Sequence, residues 1–168
     1  MKKTLLSLFA LACTLTASAD AVTFEKDGLK YEVTSPTTVR VAENKIAGVT
    51  VNVPANVENN GTTYTVNSIG EEAFKWDNVI NVTLPETIDS IYDSAFTSTK
   101  IVDLTLPSKL VYIGNYAFNS SNLESITIPA SVKHIGNGAF FTCSNLQTVT
   151  FQGNVEELGG SIFYHTPV

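Results

Sequence analysis

Cysteine is nearly absent from this sequence: Cys13 and Cys143 are the only two among 168 residues. Cys13 falls in a segment with the features of a leader, so the processed chain holds one thiol and no internal disulfide. Its stability has to come from its core. Histidine is as scarce, with His134 and His165 alone, and zinc or iron sites want several Cys or His ligands. No metal or cofactor is expected. Basic residues number 10 against 16 acidic ones, for a net charge of −6, and Lys and Arg form no cluster. That balance argues against nucleic acid and anionic membrane surfaces as partners. Glycines never fall in the G-x-G-x-x-G pattern of a phosphate-cradling loop.

The only sustained apolar run is at the start. Met1-Lys2-Lys3 precedes an apolar stretch over residues 5–15, and Ala17-Ser18-Ala19 offers a small-residue cleavage site. The run is too short for a resident transmembrane helix. Residues 1–19 therefore read as a secretory signal peptide. Cys13 raises a second reading, a lipid-bearing cysteine, but Ala10 stands where a leucine is wanted. Removing the leader leaves 149 residues (168 less 19), the size of one ordinary domain, with 8 basic and 16 acidic residues and a net charge of −8.

What the chain does have is a period. Residues 79–145 read in register as VINVTLPETIDSIYDSAFTSTK, IVDLTLPSKLVYIGNYAFNSSN and LESITIPASVKHIGNGAFFTCSN. Phe96, Phe118 and Phe140 are spaced by 22 residues, as are Pro85, Pro107 and Pro129. A fixed period of this size marks a stacked repeat. Each unit opens with an alternating run such as Ile126-Thr127-Ile128, the pattern of a strand with one buried face. Proline ends it, because it has no N–H for a ladder. A second apolar pair, Val132 and Ile135 in the third of these units, turns the chain inward before Gly136 and the Ala139-Phe140 pair. No single unit can bury these side chains alone, so neighbours must stack. Upstream, Val51, Val53, Pro54, Val57 and Ile69 to Phe74 fit the frame, and downstream Leu146, Val149, Phe151, Val155, Leu158, Ile162 and Phe163 make a fifth unit shifted by 23.

The frame I-x-I-P-x-S-V-x-x-I-G-x-x-A-F-x-x-C, most complete over residues 126–143, resembles the BspA-like leucine-rich repeats (the LRR_5 type) of bacterial surface proteins. The resemblance covers about three quarters of the processed chain. It departs at Tyr92, where other units have glycine, and at Asp77, Thr99 and Ser121 in the cysteine column. The expected fold is a leucine-rich-repeat solenoid, mostly β with short helical or 3-10 turns, of about five units of 22–23 residues. Residues 20–47 lack the repeat and read as an N-terminal β-hairpin cap, turning at Asp27-Gly28. Residues 48–168 read as the solenoid, with a hairpin insertion near 58–66 turning at Asn60-Gly61. At the other end three explanations stand together: a piece of a longer array, a self-capping protein, or an edge covered by a second copy.

No constellation for hydrolysis is visible. His134 and His165 read as solvent-facing, and Cys143 as a small residue tucked behind Phe140. Glu71-Glu72 and Glu156-Glu157 are acid pairs, but glycosidase chemistry needs two carboxyls across one cleft. Asp89 and Asp93 lack the dense oxygen ligands of a calcium loop. The outward strand positions are Asn81 and Thr83, Asp103 and Thr105, Ser125 and Thr127, Thr148 and Thr150, with Thr50 and Asn52 before them. They form a near-continuous threonine ladder, suited equally to exposed strand packing and to a flat, polar binding face. Trp76, Tyr64, Tyr92, Tyr112 and Tyr116 fall in bends or turns. The resemblance implies a secreted or cell-surface, non-catalytic protein that adheres to a protein or glycan partner. The alternative is an assembly module, a homo-oligomer joined through the C-terminal edge.

Overall fold

The computed structural model of the protein describes residues 21–45 and 48–168; the leader and Cys13 lie outside them. Strands β1 (Thr23–Lys26) and β2 (Leu29–Val33) pair antiparallel, and β3 (Thr38–Val41) pairs antiparallel with β2. After the short β4 (Thr50–Asn52), β5 (Asn56–Asn59) and β6 (Thr62–Ile69) form a second hairpin. Both hairpins turn on residues with positive φ: Asp27 and Gly28 at 50° and 80°, Asn60 and Gly61 at 49° and 78°. A two-residue type I′ turn needs that geometry, and Asn/Asp-Gly supplies it.

The repeats then continue with β7 (Asn81–Thr83), β8 (Ser90–Ile91), β9 (Tyr112–Ile113), β10 (Ser125–Ile128), β11 (His134–Ile135), β12 (Thr148–Phe151) and β13 (Glu157–Leu158). One sheet runs β1-β2-β3-β6-β8-β9-β11-β13 and is parallel from β3 onward. Its parallel register puts Ile69, Ile91, Ile113, Ile135 and Leu158 in one column. The chain is a β-solenoid of about five coils. The continuous ladder is thus the second run of each unit, after the proline, whereas the sequence pattern pointed to the first. On the first run only β4–β7 and β10–β12 pair, and residues 101–106 form no strand. The difference lies in how each run ends. Proline closes the first run without an N–H to give, while in the second the next residue donates across coils. Gly114, Gly136 and Gly159 bond Ile91, Ile113 and Ile135 carbonyls, each at 2.8 Å. A Cβ on Gly136 would stand 2.5 Å from the Asn115 nitrogen, so glycine lets the coils close. Tyr92 keeps the same bond, to Ile69 at 2.9 Å.

The turn segments around the phenylalanines contain no helix among the described residues, against the expectation of short helical turns. Two residues per coil sit at positive φ: Ser94 and Ser98, then Tyr116 and Ser120, then Gly138 and Thr142, all between 53° and 58°. Each turns its own N–H along the axis to the next coil: Ser94 to Asn115 O at 2.9 Å, Ser98 to Asn119 O at 2.8 Å, Tyr116 to Asn137 O at 2.9 Å. Between them Phe96 also bonds the next coil, to Ala117 O at 2.7 Å, whereas Ala95 and Thr97 bond locally, to Tyr92 O at 3.3 Å and Ser94 O at 3.1 Å. A helix would spend every N–H within its own segment, so this alternation excludes one.

The core is a stack of layers. Phe74, Phe96, Phe118 and Phe140 are fully buried, with ring centroids 5.2, 5.4 and 5.2 Å apart and planes within 16°. Phe163 continues the stack at 5.7 Å. Ala73, Ala95, Ala117 and Ala139 lie beside them, also fully buried. In the fifth coil Phe151 and Leu158 are 43% and 59% exposed, where Ile128 and Ile135 of the fourth are buried.

This packing sets two stability outcomes. Phe118→Ala, in the middle of the stack, costs about 3–5 kcal/mol as a large cavity mutation, measured by urea denaturation; an unchanged midpoint would mean that the ring does not carry the stack. Thr142 is β-branched at a φ of 55°, a conformation such residues strongly disfavour and asparagine tolerates. Thr142→Asn therefore stabilises by about 1 kcal/mol, seen as a raised melting temperature.

Candidate functional site

All eight outward strand residues singled out from the sequence, Asn81, Thr83, Asp103, Thr105, Ser125, Thr127, Thr148 and Thr150, are exposed. They do not form one ladder. Ser125 and Thr127 register against Thr148 and Thr150 on β10 and β12, and Asn81 and Thr83 against Thr50 and Asn52 on β7 and β4. Asp103 and Thr105 lie between these pairs, on the third coil, where no strand forms. Their segment is tied to its neighbours at its start alone, by Lys100 N–H to Val79 O at 3.0 Å and Glu124 N–H to Val102 O at 3.1 Å. A shallow groove results between the third and fourth coils. Asp103, Thr105, Ser125 and Thr127 line it, with the edges of Leu104 and Ile126 at its base. Glu86 braces one side, accepting from the Ser108 hydroxyl at 2.6 Å and backbone N–H at 2.9 Å. Those bonds, the hydroxyl's first, hold its carboxyl below the usual range.

The groups considered for catalysis go to other work. Glu156 pairs with Lys133 at 3.0 Å and Glu157 with His134 Nδ1 at 2.8 Å, so the two acids bridge coils side by side. Glu72 pairs with Lys75, whose ammonium lies 4.4 Å over the Trp76 ring. The His134 side chain keeps 32% of its surface exposed, but its position gave no sign of a packing partner. Its ring stacks on Tyr112 at 4.6 Å and 5°, and Tyr112 meets Tyr92 at 5.7 Å. Burial, then Asp93 and Tyr92, pushes the Tyr112 hydroxyl pKa up. His165 packs edge-on to Tyr164 at 4.2 Å. Among the described residues no group of three or more His, Cys, Asp or Glu converges.

Cys143 is fully buried, but it is more than a small packing residue. Its Sγ donates to Phe118 O at 3.0 Å and lies 3.5 Å from Ser121 Oγ. Thr99 and Thr166, in the same column, bond the Phe96 and Phe140 carbonyls at 3.0 and 2.6 Å. Three members of the column, Thr99, Cys143 and Thr166, thus each serve a carbonyl of a phenylalanine. Burial pushes the Cys143 thiol pKa up, against a lesser pull from Ser121 and Ser120, so the nucleophilic thiolate is disfavoured.

A second polar feature went unremarked in the sequence. Asp93, Asn115 and Asn137 occupy equivalent places in three coils and bond in series. Asn115 donates its backbone N–H to Asp93 Oδ1 at 2.8 Å and its Nδ2–H to Asp93 Oδ2 at 2.9 Å. Asn137 does the same to Asn115 Oδ1, at 2.8 and 3.2 Å, and Gly160 N–H closes the series on Asn137 Oδ1 at 2.7 Å. The signal was the 22-residue spacing of Asn115 and Asn137 behind the Ile-Gly pairs, with Asp93 behind Tyr92.

The sequence profile of the BspA type leucine rich repeat region matches residues 54–168, in 6 copies. Among solved structures, the chain is similar to the pneumococcal vaccine antigen PcpA, with a TM-score of 0.77 and 23% identity over 87% of this chain and 42% of that one. A leucine-rich repeat protein from Bacteroides capillosus matches with a TM-score of 0.67 and 31% identity, over 78% of this chain and 99% of that one. A leucine rich cell surface protein from Faecalibacterium prausnitzii matches at 0.61 and 20%, over 89% and 53%. This chain spans less than half the length of PcpA. No curated protein matches it. No helix among the described residues is long and apolar enough to cross a membrane.

The environment of Cys143 has a direct chemical readout. In the chain from Asp20, where it is the single thiol, iodoacetamide should modify it about 100-fold more slowly in the native state than in urea, because access requires opening of the core. Equal native and denatured rates would contradict the buried position.

Proposed function

The chain belongs to the BspA-type leucine-rich repeat family, and from that premise we propose that it is an exported, surface-displayed module that adheres to a macromolecular partner through its outward strand face. The observation that carries this reading is the groove at Asp103, Thr105, Ser125 and Thr127. It is the place on that face where the ladder opens, so side chains and backbone edges are both within reach of a partner. The lining is polar with an apolar floor, the composition of a site that binds by shape and hydrogen bonds. Export is supported by the leader-like residues 1–19, and the names of two structural neighbours, a vaccine antigen and a cell surface protein, agree with display at a surface. The role is one of binding without catalysis: Glu156 and Glu157 bridge coils, Glu72 pairs with Lys75 and the thiol is buried.

The test is solid-phase binding of the chain from Asp20 to Val168 against extracellular matrix proteins, mucins and bacterial surface glycans. The double variant Thr105→Arg, Thr127→Arg plants two long cations in the groove while leaving the core intact. It should weaken a wild-type interaction by about tenfold or more. A bound partner indifferent to both substitutions would move the site off the strand face.

A further inference from the structure

On another side of the solenoid, Tyr116 has an uncommon seat. It lies at positive φ on a turn, 45% exposed, and its ring rests on the backbone of Gly138 in the next coil. A Cβ at Gly138 would stand 2.5 Å from Tyr116 Cε1 and 2.7 Å from Cδ1. Gly138 is the one glycine among the paired positive-φ turn positions of the five coils. The ring therefore occupies a place that any other residue would fill. Phe141 meets it edge-on at 6.2 Å. The Cδ1–Cε1–Cζ side of the tyrosine ring is seated on the next coil, and the residue is nonetheless close to half exposed.

Beside this ring runs the Asp93–Asn115–Asn137 series, in a shallow axial groove shared with Tyr116 and Ser161. An amide nitrogen carries two donor hydrogens. Asn115 gives one to Asp93 and Asn137 gives one to Asn115, which leaves one on each directed away from the series. These free donors repeat once per coil, at the spacing shown by the phenylalanine rings, 5.2 to 5.4 Å. That repeat is close to the advance of one pyranose residue along an extended glycan. Asp93 adds acceptor capacity at one end, and Ser161 a hydroxyl at the other. A flat ring for the C–H face of a sugar, flanked by amides and hydroxyls for its O–H groups, is the combination that distinguishes carbohydrate from peptide. Asp93, together with Glu71 one coil before it, places negative charge at the end of the groove and repels acidic sugars.

We propose that this ridge is a subsite for a linear neutral glycan lying along the solenoid axis, its central sugar on Tyr116 and its hydroxyls on the Asn115 and Asn137 amides. The site is separate from the strand-face groove and stands without it. The experiment is a 1H–15N titration of the chain from Asp20 to Val168 with cellohexaose, mannohexaose and laminarihexaose, following the side-chain amides of Asn115 and Asn137; a hyaluronan hexasaccharide is the acidic arm. At least one neutral hexasaccharide should shift both amides saturably, and the hyaluronan fragment should not. Tyr116→Asn, which tolerates the positive φ, should weaken binding by about tenfold, whereas Thr105→Arg, Thr127→Arg should leave it unchanged. Absence of saturable shifts with all three neutral glycans overturns the proposal, as does equal binding of hyaluronan or full binding by Tyr116→Asn. Should Tyr116→Asn fail to fold, the wild-type shift map decides alone: shifts centred on Asn115, Asn137 and Ser161 support the site, and shifts centred elsewhere end it.

Discussion

Flat stacking of one phenylalanine on the next sets the distance that every other part of each coil must match. At 5.2 to 5.7 Å between centroids, the backbones of neighbouring coils come to the separation of hydrogen-bonded strands. Positions that would hold the coils further apart must give way. Hence the glycines after the buried isoleucines, where a Cβ would collide with the preceding coil, and the alanines beside the rings. The turns contribute the converse adjustment. A residue at positive φ costs about 1–2 kcal/mol when it is not glycine, but it points its N–H along the axis, into a bond with the next coil. The local strain and the bond between coils are the same event. In the first four coils the non-glycine turn residues offset that strain with a bond to the next coil.

The same constraint treats the outer faces differently. On the sheet side, a donor stands after each isoleucine and the ladder runs unbroken from β3 to β13. On the strand face Pro54, Pro85, Pro107 and Pro129 end the first four runs without a donor, so pairing there is short, whereas Gln152 in the fifth donates to Ile128 O at 3.0 Å. Pairing lapses altogether at the third coil. On the turn ridge the Asp93–Asn115–Asn137 series adds side-chain bonds to the backbone ones and fixes the spacing twice over. A groove opens where coupling is weakest, and a regular row of donors stands where it is strongest. The first suits a partner that is fitted by shape, the second one whose own repeat matches the coil.

Much of the frame was legible because it is carried by residue type at fixed spacing. Phe96, Phe118 and Phe140, with Pro85, Pro107 and Pro129, disclose the coil length and the buried stack before any coordinate is known. Other features leave no such trace. Ser98, Tyr116 and Thr142 hold positive φ without being glycine or asparagine, because the bond they gain comes from a residue 21 or 22 positions away. The absence of helix has its origin in the same bonds and was equally hidden. Nor does a pattern of alternating residues say which of two short runs will pair continuously, since that depends on whether the residue just beyond each run has an N–H to donate. His134 was read as solvent-facing from its variable position between Val132 and Ile135; it is partly exposed, and its packing partner, Tyr112, lies one coil away.

In a repeat of this kind, packing asks the same thing of each coil, and a column of equivalent positions should hold similar residues wherever packing alone decides. The phenylalanine and alanine columns obey that rule through four coils, and the isoleucine column with them. Departures that the packing does not require are therefore informative. The column of Glu72, Ser94, Tyr116, Gly138 and Ser161 is one: its first four members keep their backbone bonds to the next coil while the side chains differ in size and charge. The tyrosine and the glycine differ together. Each is unremarkable alone, but the ring needs the missing Cβ, and the missing Cβ would otherwise leave an uncovered backbone. Such a pair is coupled by contact and adds little to a core already complete beneath it. What it adds is an aromatic surface beside a row of amides, at a spacing that the phenylalanine stack has fixed.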